Sequence, residues 1–257
     1  LRGARRVSAL VADTLTLLRR ELIRYRRDRA YWIGQIVFPL AIVGFIGFGL
    51  DAVVALPSGT RYVEHLATGV LALLVGSGAV GGGFSLIEDR ESGFLRALLI
   101  APVSRTSIVL GKLVARMLAS LVLVGVLVGI LAAFTPVRIA HAGALVLAVG
   151  GITAIFVGMG VALAARLRRL ESFRLIAALV TVPLYLFSGI FYPLSTLPAP
   201  TRWISYANPL TYGADLLRYG LLDVHEIGVA TSCGMLIVLT AAAVGLAITA
   251  FDRGMRT

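Results

Sequence analysis

The sequence predicts an all-α integral membrane protein, with six membrane-crossing helices preceded by an amphipathic helix on the membrane surface. Three observations carry this. Six long runs are almost free of charge, and the chain is 58% hydrophobic with only 14% charged residues. The charges also cluster between the runs, whereas a soluble domain of this length shows them every few residues. The runs are 31–50, 66–87, 108–134, 142–165, 175–192 and 228–250. About twenty apolar residues, at 1.5 Å each, cover a hydrocarbon core roughly 30 Å thick.

The first element is the segment 5–29. Val7, Leu10, Val11, Thr14, Leu18, Leu22 and Tyr25 fall on one helical face, and Arg19, Arg20, Arg24, Arg26 and Arg27 on the other. An apolar stripe backed by arginines suits a helix lying on an anionic inner leaflet. Whether it only anchors the chain or also touches a cytoplasmic partner is open at this stage. The first span contains Pro39 and the fifth Pro183, each removing a backbone hydrogen bond where a kink is tolerated. The second span carries Gly76, Gly78, Gly81, Gly82 and Gly83. Three of these formally match a dinucleotide-binding GxGxxG, but no strand precedes them, so the match is rejected. The glycines are expected instead to let helices approach closely, as are Gly125 and Gly129 in the third span. A turn around Pro136 and Arg138 joins the third and fourth spans, and Arg166 to Arg174 join the fourth and fifth. The segment 193–227 is rich in proline and aromatics. Its two weakly apolar stretches, around Trp203 and over 210–222, are too short to cross and are expected as re-entrant helices. The whole chain, 1–257, is read as one membrane domain.

A net charge of +11 raises the possibility of a nucleic-acid partner, which the distribution of the charge rules against. Nine basic residues precede Tyr31, five lie from Arg90 to Arg116, four from Arg166 to Arg174, and two are Arg253 and Arg256. Only Arg61, Arg138, Arg202 and Arg218 fall in the alternate loops. The asymmetry is that of the positive-inside rule and puts both termini in the cytoplasm. No basic stretch is interleaved with stacking aromatics, so no nucleic acid is expected. The single cysteine, Cys233, is expected to be a packing residue. The first apolar run begins only at Tyr31 without a small-residue cleavage pattern, so no cleavable leader is expected.

Several chemistries are missing. Gly111–Lys112 has Thr106 where a P-loop needs glycine, so the chain is not expected to hydrolyse nucleotide or to act alone as an enzyme. His65, His141 and His225 lack metal-ligand spacing and read as solvated loop residues, with no metal. Lys112 and Arg116, near the start of the third span, are expected to snorkel. Ion-coupled carriers usually hold ionisable groups at mid-membrane, and the spans carry none there. Any transport is therefore expected to draw on a partner, with an amphiphilic or lipid-like cargo.

The most informative polar segment is 88–105, EDRESGFLRALLIAPVSR, running on to Lys112. Acids open it and favour a helix N-terminus. Phe94, Leu95, Leu98 and Leu99 form an apolar stripe, and Pro102 ends the pattern. This is the pattern of a short amphipathic helix. The segment resembles the cytoplasmic loop of type-2 ATP-binding-cassette permeases, in particular the daunorubicin-resistance exporter group. The matching residues are Glu91, Gly93, Phe94, Leu95, Ala101, Pro102, Val103, Ser104, Arg105, Gly111 and Lys112. A second piece, Asn208-Pro209-Leu210-Thr211-Tyr212 through Asp215 to Arg218, looks like the family's motif before the last span.

The resemblance implies the transmembrane domain of a type V exporter in a bacterial or archaeal cytoplasmic membrane. It implies a second permease, identical or paralogous, and two copies of a separate ATPase that holds ATP and Mg, with no cofactor in this chain. By the same resemblance, the loop 88–107 forms a coupling helix in a cleft of the ATPase. Its contacts would come from Glu88, Asp89, Glu91, Gly93, Phe94, Leu95, Arg96, Leu98, Pro102, Val103, Ser104 and Arg105. The segment 5–29 becomes the connecting helix, and 193–227 closes the outer side. The expected function is export of a hydrophobic or amphiphilic cargo: a drug or antibiotic, a lipid or a lipid-linked glycan. Phe45, Phe48, Phe84, Tyr185 and Phe187 are candidates to line its path, although ordinary helix packing explains them equally. The competing readings are an ion-coupled secondary transporter or channel, and an intramembrane lipid-modifying enzyme. The enzyme reading lacks a nominated acid, base or nucleophile.

Overall fold

The computed structural model describes residues 2–57, 59–93, 100, 104–167 and 169–254. Its regular structure is helical throughout, with no strand among the described residues. Helix α1 covers Arg2–Arg27 and α2 Arg29–Ile42, which continues through a π-helical turn, Val43–Gly47, into α3, Phe48–Asp51. Then come α4 (Tyr62–Glu91), α5 (Arg105–Leu131), α6 (Ala142–Arg166) and α7 (Leu170–Leu186). A 3-10 turn, Leu194–Thr196, leads to α8 (Ala199–Ala207), α9 (Pro209–Leu222) and α10 (Val229–Gly254). Pro39 has no N–H to give the ladder, and the α-helix widens to π just beyond it.

Among the described residues, five helical stretches are long and apolar enough to cross a membrane: Arg29–Asp51, Tyr62–Glu91, Thr106–Leu131, Ala142–Arg166 and Val229–Phe251. Six were expected. The fifth expected span, 175–192, is the 17-residue α7, which ends at Leu186. The chain reverses there because Gly189 adopts φ +75 and Ile190 is fully buried. A Cβ on Gly69 of α4 would lie 2.5 Å from the Ile190 carbonyl oxygen, so the reversal is seated directly on that glycine.

The centre of the bundle is α4 against α6, the two most buried of the crossing helices. They meet through small residues, as membrane helices do in the absence of a hydrophobic drive. A Cβ on Gly83 would fall 2.2 Å from the Gly160 carbonyl oxygen. Gly82 faces Val157, and on the far side of α6 Gly158 faces the Ala243 carbonyl of α10. Glycine is not sufficient by itself, since Gly81, Gly125 and Gly129 meet nothing within 4 Å, so the third-span pair makes no close contact within this chain. Helix α9, one of the expected short helices, is buried along most of its length, with Gly213 against Ile152 of α6. By contrast α2, α7 and α10 expose apolar side chains such as Phe38, Leu179 and Val238.

Helix α1 keeps the two expected faces in part: Thr14, Leu18, Leu22 and Tyr25 are half-buried, but the most buried face is turned toward Leu17 and Glu21. Leu17 and Glu21 are buried, and Leu17 meets Gly111 of α5. Val11, Leu15 and Ile23 are exposed. Arg20 and Arg24 turn inward while Arg19, Arg26 and Arg27 stay exposed, because acids at the end of α4 draw the inner pair.

Candidate functional site

Two buried polar networks stand near opposite ends of α4. The first gathers residues remote in sequence around Lys112, near the start of α5. Its ammonium has three protons to donate, and three acceptors take them: Glu21 Oε1 at 3.0 Å, Ser85 Oγ at 2.8 Å and Asp89 Oδ2 at 2.7 Å. The side chains of Lys112, Glu21 and Asp89 are only 5%, 3% and 4% exposed. Arg20 closes the group from α1, donating to Asp89 Oδ1 at 2.7 Å, and Arg24 pairs with Glu88. Burial works against the charge of Arg20, but its hydrogen bond and attraction to Asp89, with Glu21, outweigh that and raise its pKa. Beside this group Arg90 caps the end of α6, donating to the Leu167 carbonyl at 3.0 Å and the Ala164 carbonyl at 3.3 Å.

Lys112 therefore does not snorkel to solvent. Its charge is held inside by two carboxylates, one 91 residues away and one 23. Neither Glu21 nor Ser85 stood out in the sequence, because an acid beside Arg19-Arg20 reads as a surface residue. The network grips both flanks of the expected coupling segment. Glu88, Asp89 and Glu91 end α4, and Gly93 turns the chain out with φ +76. On the far side Ser104 caps α5, accepting from Ser107 N at 3.0 Å, and Arg105 is the first helical residue. Phe94, Leu95, Arg96, Leu98, Pro102 and Val103 lie outside the described residues.

The second network contains all four residues of the motif before the last span. Asn208 caps α9, accepting from Leu210 N at 3.0 Å and donating to the Leu184 carbonyl at 2.6 Å, and Pro209 fills the first helical position. The carboxylate of Asp215 accepts from Glu226 N and from Ser232 Oγ, both at 2.7 Å. Arg218 pairs with Glu226 at 3.1 Å and donates to the Gly189 carbonyl at 3.2 Å, with His65 Nε2 at 3.3 Å. Glu226 also accepts from Leu194 N at 2.7 Å. One helix is thereby tied to α4, to the reversal after α7 and to the start of α10. His65 is not a solvated loop residue but is buried in this network, while His225 is exposed and His141 stacks on Tyr219 at 4.2 Å.

Asp215→Ala leaves the Ser232 hydroxyl and the Glu226 N–H without their acceptor. It is expected to lower unfolding stability by about 2–3 kcal/mol, read as a fall in thermal midpoint of the purified protein in detergent. An unchanged midpoint shows that water replaces the carboxylate at no cost.

Of the five aromatic candidates for a cargo path, Phe187 is half-buried just past the end of α7, and the other four meet different surroundings. Phe45 and Phe48 face outward from the first crossing stretch, Arg174 covers Phe84 at 4.9 Å, and Tyr185 stacks on Phe156 at 6.0 Å. An apolar cavity of about 290 Å³ between α4, α6, α7 and α10 is lined by Val80, Met159, Leu163, Arg166, Val180 and Leu246 among others, and by none of the five. Among the described residues no cluster of His, Cys, Asp or Glu could hold a metal ion.

The chain matches the family model of the ABC-2 type transporter over residues 12–222. It is 25% identical over 229 residues to the inner membrane transport permease YadH of Escherichia coli K12, covering 87% of this chain and 88% of that protein. It is 28% identical over 221 residues to the putative transport permease ycf38 of Porphyra purpurea, covering 82% and 74% of the two chains. It is 26% identical over 235 residues to nodulation protein J of Rhizobium leguminosarum bv. viciae, covering 87% and 88%. With its all-helical bundle and its apolar crossing stretches, this chain is a multi-pass membrane permease and belongs to the ABC-2 type transporter family.

Proposed function

We propose that this permease is the membrane half of an ATP-driven exporter, energised by a separate ABC ATPase. In this reading α7 also crosses and brings the crossing helices to six, since its 17 residues span about 25 Å at 1.5 Å each, at the short end of what a membrane helix needs. Both termini lie in the cytoplasm of a bacterial or archaeal cell, and α1 rests its exposed apolar face on the inner leaflet. The ATPase is present in two copies and carries ATP and Mg. It meets a pair of permeases, identical or paralogous, through segment 88–105. The cargo is hydrophobic or amphiphilic: a drug or antibiotic, a lipid or a lipid-linked glycan.

The observation that carries this reading is the buried group around Lys112. Asp89 and Lys112 flank the coupling segment, and Glu21 and Arg20 belong to α1. A push on the segment is therefore delivered to α1, α4 and α5 together, as an ATPase with no other grip on the membrane requires. The test is purification of the chain from its native membrane in mild detergent, where a stoichiometric P-loop ATPase is expected to co-purify. Phe94→Ser with Leu95→Ser is expected to cut ATP-driven export tenfold or more while the chain remains folded and inserted. Unchanged export and unchanged partner binding in that variant overturn the coupling assignment.

A further inference from the structure

We infer that Arg116 is the receptor for an acidic headgroup, so that the permease takes an amphiphile carrying a phosphate or carboxylate. Arg116 sits one turn beyond Lys112 on α5 and is 2% exposed. Lys112 has two carboxylates, whereas Arg116 has none within 4.0 Å among the described residues. Its polar contacts among the described residues are the hydroxyls of two tyrosines, Tyr31 and Tyr25, whose rings lie 5.1 and 5.5 Å from its guanidinium carbon. Its Nε is buried with no partner. The three carboxylates nearest by, Glu21, Glu88 and Asp89, are already paired with Arg20, Arg24 and Lys112.

A buried cation without a counter-ion is costly unless something else supplies the negative charge. The place is built for the guanidinium. A Cβ on Gly78 of α4 would fall 1.6 Å from Arg116 Nη2 and 2.8 Å from its guanidinium carbon, so the tip of the group abuts that glycine. The polar surface continues one turn further into the bundle. Ser120 follows Arg116 by four residues on α5, Gln35 follows Tyr31 by four on α2, and each buries a side-chain oxygen with no partner. The two tyrosines form the cover, Tyr25 on α1 and Tyr31 at the start of α2. Displacing α1 uncovers the guanidinium, and the exposed Phe38, two turns beyond Tyr31 on the same face of α2, offers an apolar contact for the ligand's chain. The planar fork of arginine suits phosphate or carboxylate oxygens. Binding of such a group does not depend on the proposed exporter; calling the ligand cargo does.

The chain has two tryptophans, and Trp32 reports on the cover directly. Its ring stands edge-on to Tyr31 at 6.0 Å, and its Nε1 donates to the Tyr25 carbonyl at 2.8 Å. With Trp203→Phe as background, the permease and its co-purified partner are placed in phosphatidylcholine nanodiscs and titrated with decyl phosphate or decyltrimethylammonium. A saturable change in Trp32 emission is expected with the phosphate alone. Arg116→Gln, checked for an intact thermal midpoint, is expected to weaken the response at least tenfold. Tyr31→Phe removes one of the two hydroxyls that occupy the guanidinium and is expected to tighten binding several-fold, which a purely structural arginine would not produce. Equal responses to the two amphiphiles, or a phosphate response that survives in folded Arg116→Gln, overturn the inference. If that variant fails to fold, a Tyr31→Phe affinity equal to the parent's overturns it instead. Adding phosphatidylglycerol to the discs separates the sources. Competition with decyl phosphate assigns the site to a resident lipid, and its absence assigns it to a delivered ligand. Co-purification of the ATPase is scored separately, so the exporter reading stands or falls without this result.

Discussion

Lys112→Met is expected to lower the stability of the protein by about 3–5 kcal/mol, the cost of breaking a buried ion pair from one side. Methionine fills the volume but leaves Glu21 and Asp89 facing an apolar group. Asp89 keeps Arg20 at 2.7 Å, whereas Glu21 keeps only Arg20 at 3.4 Å. The fall in thermal midpoint is therefore expected to be accompanied by undocking of α1, visible as faster tryptic cleavage at Arg19, Arg26 and Arg27. A second change, Glu21→Gln, removes the stranded carboxylate and is expected to recover part of the loss. The coupling between the two positions is measured by a double-mutant cycle. Additive losses, or an unchanged cleavage pattern in Lys112→Met, contradict a shared buried network.

Gly83→Ala is the second large effect. The new methyl group would lie 2.2 Å from the Gly160 carbonyl oxygen and 2.4 Å from its carbon, and neither atom can rotate away. The central pair α4 and α6 must separate, at a cost of about 1–3 kcal/mol or somewhat more. Gly81→Ala is the matched control, two residues away on the same helix. Its Cβ meets nothing within 4 Å, and alanine favours the helix, so that variant is expected to be neutral or slightly more stable. Thermal midpoint and size-exclusion homogeneity of the two proteins decide the matter. Equal behaviour would remove the glycine contact from the account of how the bundle is held.

The crossing helices were readable in the sequence because the bilayer imposes one requirement, length in apolar residues, and composition reports it directly. The boundary that failed, at the end of α7, depends on a reversal whose cause is a tertiary contact, Ile190 on Gly69. The glycine run was readable as a place of close approach, but not which glycines make it: Gly82 and Gly83 face α6, while Gly81 faces open space. Lys112 was read as an interfacial lysine because helical periodicity carries no information about residues 91 positions away. The motif Asn208, Pro209, Asp215 and Arg218 was recognisable as a pattern, but its work was not. Arg218 meets His65 and Glu226, and Asp215 meets Ser232, none of which the motif includes.

The separation between Glu21 and Lys112 also sets an order of events at the ribosome. Their 91 residues take on the order of 5–20 s to synthesise at about 5–20 residues per second. Throughout that interval the N-terminal helix has its acid but not its base. Asp89 emerges before Lys112 and adds only negative charge to a site that Arg20 alone must balance. The closing of the network that binds α1 to α4 thus waits for the beginning of α5. A nascent chain halted before Lys112 can hold its first helix to α4 only through Arg20–Asp89 and Arg24–Glu88, and one elongated past it can lock the helix in place.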